Sequence, residues 1–126
     1  MSLPTVVLTA LGAGVAGWAL ENAFFTEPGK PRYSALLPGV PFLPVYAAGG
    51  AAIALLQPSI DHMHPAARAL VYGGTLTALE GLAGAAERSE GRLSWDYGGS
   101  PIDLPHAAAW AVLGLLTGEV VGGFQR

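Results

Sequence analysis

The chain has 126 residues, 52% of them apolar and only 12% Asp, Glu, Lys or Arg, with a mean hydropathy of +0.45. A soluble domain carries about 25% charged residues, so water is not expected on every side of this single-domain chain. A net charge of −3 without a basic block excludes a nucleic-acid footprint, and the absence of cysteine excludes disulfides, thiolate catalysis and cysteine-held metals.

A membrane helix needs about 20 mostly apolar residues. The first stretch that supplies them is LPTVVLTALGAGVAGWALENAFF, about residues 3–25. No Lys or Arg precedes it, and it is too long for the apolar core of a signal peptide, so it reads as a retained helix. The second is PGVPFLPVYAAGGAAIALL, about 38–56; Pro41 and Pro44 remove backbone donors and should make its first turns irregular. The third, about 65–86, is PAARALVYGGTLTALEGLAGAA, and the fourth, about 104–124, is LPHAAAWAVLGLLTGEVVGGF. The connectors TEPGKPRYS, QPSIDHMH and ERSEGRLSWDYGGSPID are polar. A soluble bundle would need charged faces, which the second and fourth stretches almost lack. The expected fold is therefore all-α. It is a four-transmembrane-helix bundle forming one integral-membrane domain over residues 1–126, with a polar and aromatic interfacial loop before the last helix.

Four spans put both termini on one side. Lys30, Arg32, Arg88 and Arg92 follow spans one and three, against Arg68 and Arg126 at the other side. The positive excess weakly favours cytoplasmic connectors and termini on the non-cytoplasmic side.

Spacing places Gly114, Gly118 and Gly122 along one face of span four. Gly14 and Trp18 share a face of span one with Glu21, and Gly73, Thr77, Glu80 and Gly84 share one of span three. Small residues let membrane helices approach closely, and most of these glycines are read as packing positions.

Glu21, Glu80 and Glu119 fall inside apolar stretches. An ionised carboxylate in hydrocarbon is costly, so such groups face a bundle interior or an aqueous cavity. An up-down topology brings Glu21 and Glu80 to similar depth and Glu119 close to the opposite surface. The first two could share a proton, pair with Arg32, Arg88 or Arg92, or hold a cation. The heavier expectation is that they bond to those arginines, to Tyr46, Trp95 or loop amides and pin the bundle. His62 and His64, in DHMH, read as surface loop rather than metal ligands, and His106 as a cap or interface residue at the start of span four.

Four motifs occur in order: GWALE at 17–21, PFLPVYAAGG at 41–50, LEGLAG at 79–84 and WDYGGSPIDL at 95–104. Together they resemble the ABC-transporter type IV, or CmpB-like, family of small bacterial membrane proteins. That family's pattern has Gly-Trp-x-x-Glu ending the first helix, a Pro-x-x-Pro-Ile-Tyr-Gly-like segment and a Leu-Glu pair in the third helix. A Trp-Asp-Tyr-Ser loop and Pro-Phe-Asn-Leu follow. The resemblance covers about residues 14–118. Asp103 stands where the family has Asn, Gly98 where it has Ser, and Ala47 where it has Gly. The resemblance implies a component of the bacterial cytoplasmic (inner) membrane. The family label suggests transport, although the chain has no G-x-x-x-x-G-K-[ST] phosphate loop.

Residues and resemblance converge on Glu21, Tyr46, Glu80, Asp96, Trp95 and Tyr97 meeting at one interface, where aromatic residues favour the boundary level. Gly98, Gly99 and Pro101 suit a turn folding the loop inward as a lid; a plain aromatic anchor explains them equally well. Glu21, Tyr46, Glu80 and Asp96 are the candidates for a proton or cation, and Trp18, Arg32, Trp95, Tyr97 and Asp103 are loop and interface anchors. No nucleophile constellation, cofactor motif or metal site is read. The expected role is a structural or accessory subunit of a larger transporter, respiratory or photosynthetic assembly. Its partners would be the lipid bilayer and other membrane subunits or further copies of itself, without nucleic acid. The alternatives are a permease component using the paired carboxylates, and an interfacial lipid-head-group enzyme.

Overall fold

The computed structural model describes residues 2–24, 34, 37, 39–91, 100 and 102–125. Among them are four helices and no strand: α1 (Leu3–Phe24), α2 (Pro44–Ile60), α3 (Pro65–Ser89) and α4 (Leu104–Gln125).

α1, α3 and α4 begin where the sequence supplies a partner for the free amides of a first turn. Ser2 Oγ accepts from Thr5 N–H at 3.4 Å ahead of α1. His64 Nδ1 accepts from Ala66 N–H at 3.1 Å ahead of α3, which makes this histidine a cap. Asp103 Oδ1 accepts from His106 N–H at 2.9 Å ahead of α4. α2 has no side-chain cap and starts instead with Pro44, whose missing N–H needs no partner there. At the end of α3 the chain turns through Gly91, whose φ of +73° favours glycine.

α2 differs from the 38–56 span read from apolar composition. It is shifted to Pro44–Ile60. Pro41 and Pro44 cannot donate within a helix, and the approach to α2 is pinned elsewhere: Leu43 N–H donates to Gly14 O on α1 at 3.0 Å. At its far end α2 passes Pro58 and runs into the segment read as a connector.

α1 packs along α2, and α3 along α4; α2 also packs on both α3 and α4, so it is the element common to the bundle. The buried core joins Ile53 and Ile60 of α2, Tyr72 and Leu76 of α3, and Trp110 of α4. Glycines set how closely the helices approach. A β-carbon on Gly73 would lie 2.8 Å from Ala111 Cβ, and Gly114 and Gly118 form a notch filled by Tyr72. Gly14 and Gly17 of α1 lie directly against the rings of Phe42 and Tyr46.

Among the described residues, two helices are long and apolar enough to cross a membrane: 21 residues over Leu3–Ala23 and 20 over Leu104–Gly123. Only 11% and 22% of their most apolar windows are buried. Leu8 is 69% exposed, Leu104 83% and Val112 59%. Seventeen residues make α2 about 25 Å long at 1.5 Å per residue. α3 has 25 residues and carries Arg68, Glu80, Glu87 and Arg88.

Candidate functional site

Tyr46 stands in the first turn of α2 and joins three helices. Its ring lies on Gly17 of α1, and its Oη donates to Glu21 Oε1 at 2.9 Å. The same ring meets Trp110 of α4 with centroids 5.0 Å apart and planes tilted by 55°. Gly17 makes this possible, because any side chain there would occupy the space of the phenol ring. Glu21 is thus tied to α2 through a phenol and is half-buried.

Glu80 is 4% exposed on the inner face of α3. Leu76, one turn earlier, would lie 2.8 Å from a β-carbon on Gly49. Antiparallel packing then carries Glu80 to the level of the first turn of α2, where Tyr46 stands. Trp18 is half-buried, and its carbonyl accepts from Asn22 Nδ2 at 2.8 Å. Gly84 is buried on the same helix as Glu80. Arg32, Trp95, Asp96 and Tyr97 lie outside the described residues, as do Gly98, Gly99 and Pro101.

Between the four helices lies a cavity of about 100 Å³. Its walls include Gly17, Tyr46, Leu76, Trp110 and Thr117. A larger groove, about 650 Å³, separates α1 from α4 and is walled by Thr5, Leu8, Gly12, Leu116 and Val120. A second groove of about 840 Å³ runs outside α3 and α4 past Gly74, Ala78 and Ala108.

The opposite end of the bundle is tied by charge. Arg68, with 12% of its side chain exposed, donates to Glu119 Oε1 at 2.6 Å and lies 3.9 Å from Asp61 Oδ1. Gln57, itself buried, donates to the same Asp61 oxygen at 2.9 Å. α2, α3 and α4 are therefore clamped together above Tyr72. Glu119 remains 46% exposed at this end while making the ion pair.

Asp103 acts locally. Besides accepting from the His106 amide it lies 2.6 Å from His106 Nδ1. The His106 amide bond, with some help from the ring, holds its carboxyl below the usual aspartate value; burial opposes the shift. Asn at this place would cap equally well.

Comparison with family models, with curated proteins and with solved structures yields no match for this chain.

Sequence reasoning singled out Glu21, Tyr46 and Glu80 but missed Gly17, Trp110 and the Arg68 clamp. Gly17 was visible as the first residue of GWALE. Trp110 lies one helical turn after His106 and one before Gly114, on the face that α4 buries. The Arg68–Glu119 pair spans 51 residues of sequence and has no local spacing to reveal it. Among the described residues no group of three or more His, Asp or Glu side chains is arranged to hold a metal.

Proposed function

We propose that the chain is a four-span membrane protein that serves as a structural or accessory subunit of a larger membrane assembly. The observation that carries this reading is the outward apolar surface of α1 and α4: helices of membrane-crossing length with 11% and 22% of their apolar windows buried. A core helix in a soluble bundle is mostly covered by its neighbours; these are not. The grooves beside α4 add surface shaped to receive lipid or another helix.

The polar groups support a structural rather than catalytic role. Glu21 is used by Tyr46 to tie α1 to α2, and Glu119 by Arg68 to tie α4 to α3. Ties of this kind position helices. The four ordered motifs are consistent with the CmpB-like resemblance, hence with a bacterial inner-membrane setting. In the proposed orientation the connectors that follow α1 and α3, whose sequences hold Lys30, Arg32, Arg88 and Arg92, face the cytoplasm.

Gentle solubilisation at low detergent tests this reading. Co-purification of membrane polypeptides in fixed stoichiometry is the expected result. A protein that stays monomeric and alone from native membranes overturns it.

The buried Glu80, carried to the level of the Glu21–Tyr46 bond, favours one second reading, a permease component. Ion-dependent flux in liposomes that disappears in Glu80→Gln would establish it in place of the subunit role.

A further inference from the structure

The chain repeats itself. GVAGWALE at 14–21 in α1 returns as GGTLTALE at 73–80 in α3, and YAAGGAAIALL at 46–56 in α2 returns as HAAAWAVLGLL at 106–116 in α4. The members of the first pair stand 59 residues apart and those of the second 60, so one register relates the α1–α2 hairpin to the α3–α4 hairpin. Packing follows the same repeat. A β-carbon on Gly50 would lie 2.6 Å from Ala13 Cβ, and one on Gly73 would lie 2.8 Å from Ala111 Cβ. In this register Gly73 and Ala111 answer to Gly14 and Ala51, one residue from the first contact. The helices of both hairpins therefore approach closely at the same level.

Exchanging α1 with α3 and α2 with α4 turns the α1–α2 packing into that of α3–α4 and leaves the α2–α4 packing in place. The same exchange turns the α2–α3 seam into an α1–α4 seam, where the structure has the groove of about 650 Å³ instead. The walls of the groove are the counterparts of the seam. Ile60 and Asp61 of α2 and Arg68 and Tyr72 of α3 belong to the seam. Their counterparts Val120, Val121, Thr9 and Ala13 all line the groove. Thr9, Gly12 and Ala13 stand where α3 has Arg68, Val71 and Tyr72, so α1 lacks the side chains that fill the seam.

We propose that the two hairpins form a tandem repeat with a second conformation, in which the first hairpin swings as a body to pack α1 on α4 and close the groove. Rocking of one internal repeat against another is a known plan for conformational change in membrane proteins. The Tyr46–Glu21 and Arg68–Glu119 bonds each lie within a hairpin and travel with it. Between the hairpins Arg68 stands 3.9 Å from Asp61 and Tyr46 meets Trp110 by ring contact, which tolerate a change of angle. Gly12, Ala13 and Ala16 let α1 come close to Leu116 and Val120, and close packing is what associates helices in lipid. Ala13, Ala16 and Thr117 also wall the central cavity, so the same movement reshapes the space beside Tyr46 and Trp110. The movement requires no partner subunit and no bound ion, so it stands or falls separately from both readings of function.

The test measures distances between paired spin labels by double electron–electron resonance, on the full chain in liposomes, diluted with unlabelled chain so that each distance is internal. Leu11→Cys with Val112→Cys spans the groove, and Leu11→Cys with Leu55→Cys lies within the first hairpin. All three positions point outward, at 53%, 59% and 61% exposure. The groove pair should give two distances. The longer matches the open structure, and the shorter matches α1 packed on α4 with axes about 8–10 Å apart. The hairpin pair should give one. Gly12→Leu, added to the groove pair, should remove the shorter distance. A β-carbon on Gly12 meets nothing within 4 Å, so the added side chain extends into the groove as a wedge without disturbing the hairpin. A single distance across the groove, of either length, overturns the proposal, and this arm needs no wedge variant to fold. Two distances within the first hairpin overturn it as well, because α1 would then move alone. So does a shorter groove distance that survives Gly12→Leu.

Discussion

Tyr72 closes against Gly114 so tightly that a β-carbon on the glycine would stand 2.5 Å from Tyr72 Cβ. Farther along the same ring, a β-carbon on Gly118 would lie 2.6 Å from Tyr72 Oη. The first contact involves an atom fixed to the backbone; the second involves the far end of a side chain. Alanine at 114 must push α3 and α4 apart, whereas alanine at 118 can be met by a tilt of the ring. Gly114→Ala should therefore destabilise the fold by about 1–3 kcal/mol, the usual range for overpacking, and Gly118→Ala by less. Gly74→Ala, where nothing lies within 4 Å, should be neutral or stabilising. Chemical denaturation in detergent reads all three; equal losses at 114 and 74 would refute the close approach.

The Tyr46–Glu21 bond should be separable from the ring packing around it. Tyr46→Phe keeps the contacts with Gly17 and Trp110 but removes the donor. The expected loss is about 1–2 kcal/mol, on the scale of a hydrogen bond to a carboxyl group. Glu21→Gln keeps an acceptor oxygen and should lose less. A double-mutant cycle over the two positions should show coupling, and additive effects would mean that the bond does not hold α1 to α2.

Arg68 has two carboxylates within reach, at 2.6 Å and 3.9 Å. Glu119→Gln should cost only about 0.5–1 kcal/mol, because Glu119 is half-exposed and Asp61 remains. Added salt should shrink that difference. Arg68→Leu removes the link among three helices and should cost more than Glu119→Gln in the same melt.

Acid should act on the α4 cap. An aspartate held below its ordinary pKa in the folded protein contributes stability that is complete above that ordinary value. The contribution disappears as pH falls through the lowered one. Folding stability should therefore drop at acid pH through Asp103. Asp103→Asn should keep the cap while removing that part of the pH dependence, as followed by circular dichroism during an acid titration.

The four-helix plan is legible because Pro, Gly and polar clusters punctuate the apolar runs, and α1, α3 and α4 begin at Leu3, Pro65 and Leu104. Composition fails at α2. The run 39–43 is as apolar as a helix, yet it turns at Gly39 (φ +77°), and Pro41 and the bond from Leu43 to Gly14 keep it outside α2. The C-terminal end of α2 was hidden the other way, by polar residues: Gln57 and Asp61 look like connector but bond to each other across one turn. Of the site, Glu21 and Tyr46 could be read because a carboxylate and a phenol in apolar surroundings demand partners. Trp110 and the Arg68 clamp could not, because their roles depend on which helices meet.

The most direct measurement is the environment of the outer faces of α1 and α4. The chain has no cysteine, so single spin labels can be placed through Val15→Cys and Val112→Cys, at positions 52% and 59% exposed. In liposomes containing only this protein, both labels should show high collision rates with oxygen, which dissolves in lipid, and low rates with a water-soluble nickel chelate. High nickel and low oxygen accessibility at both positions would place water against those faces and contradict a membrane-spanning bundle.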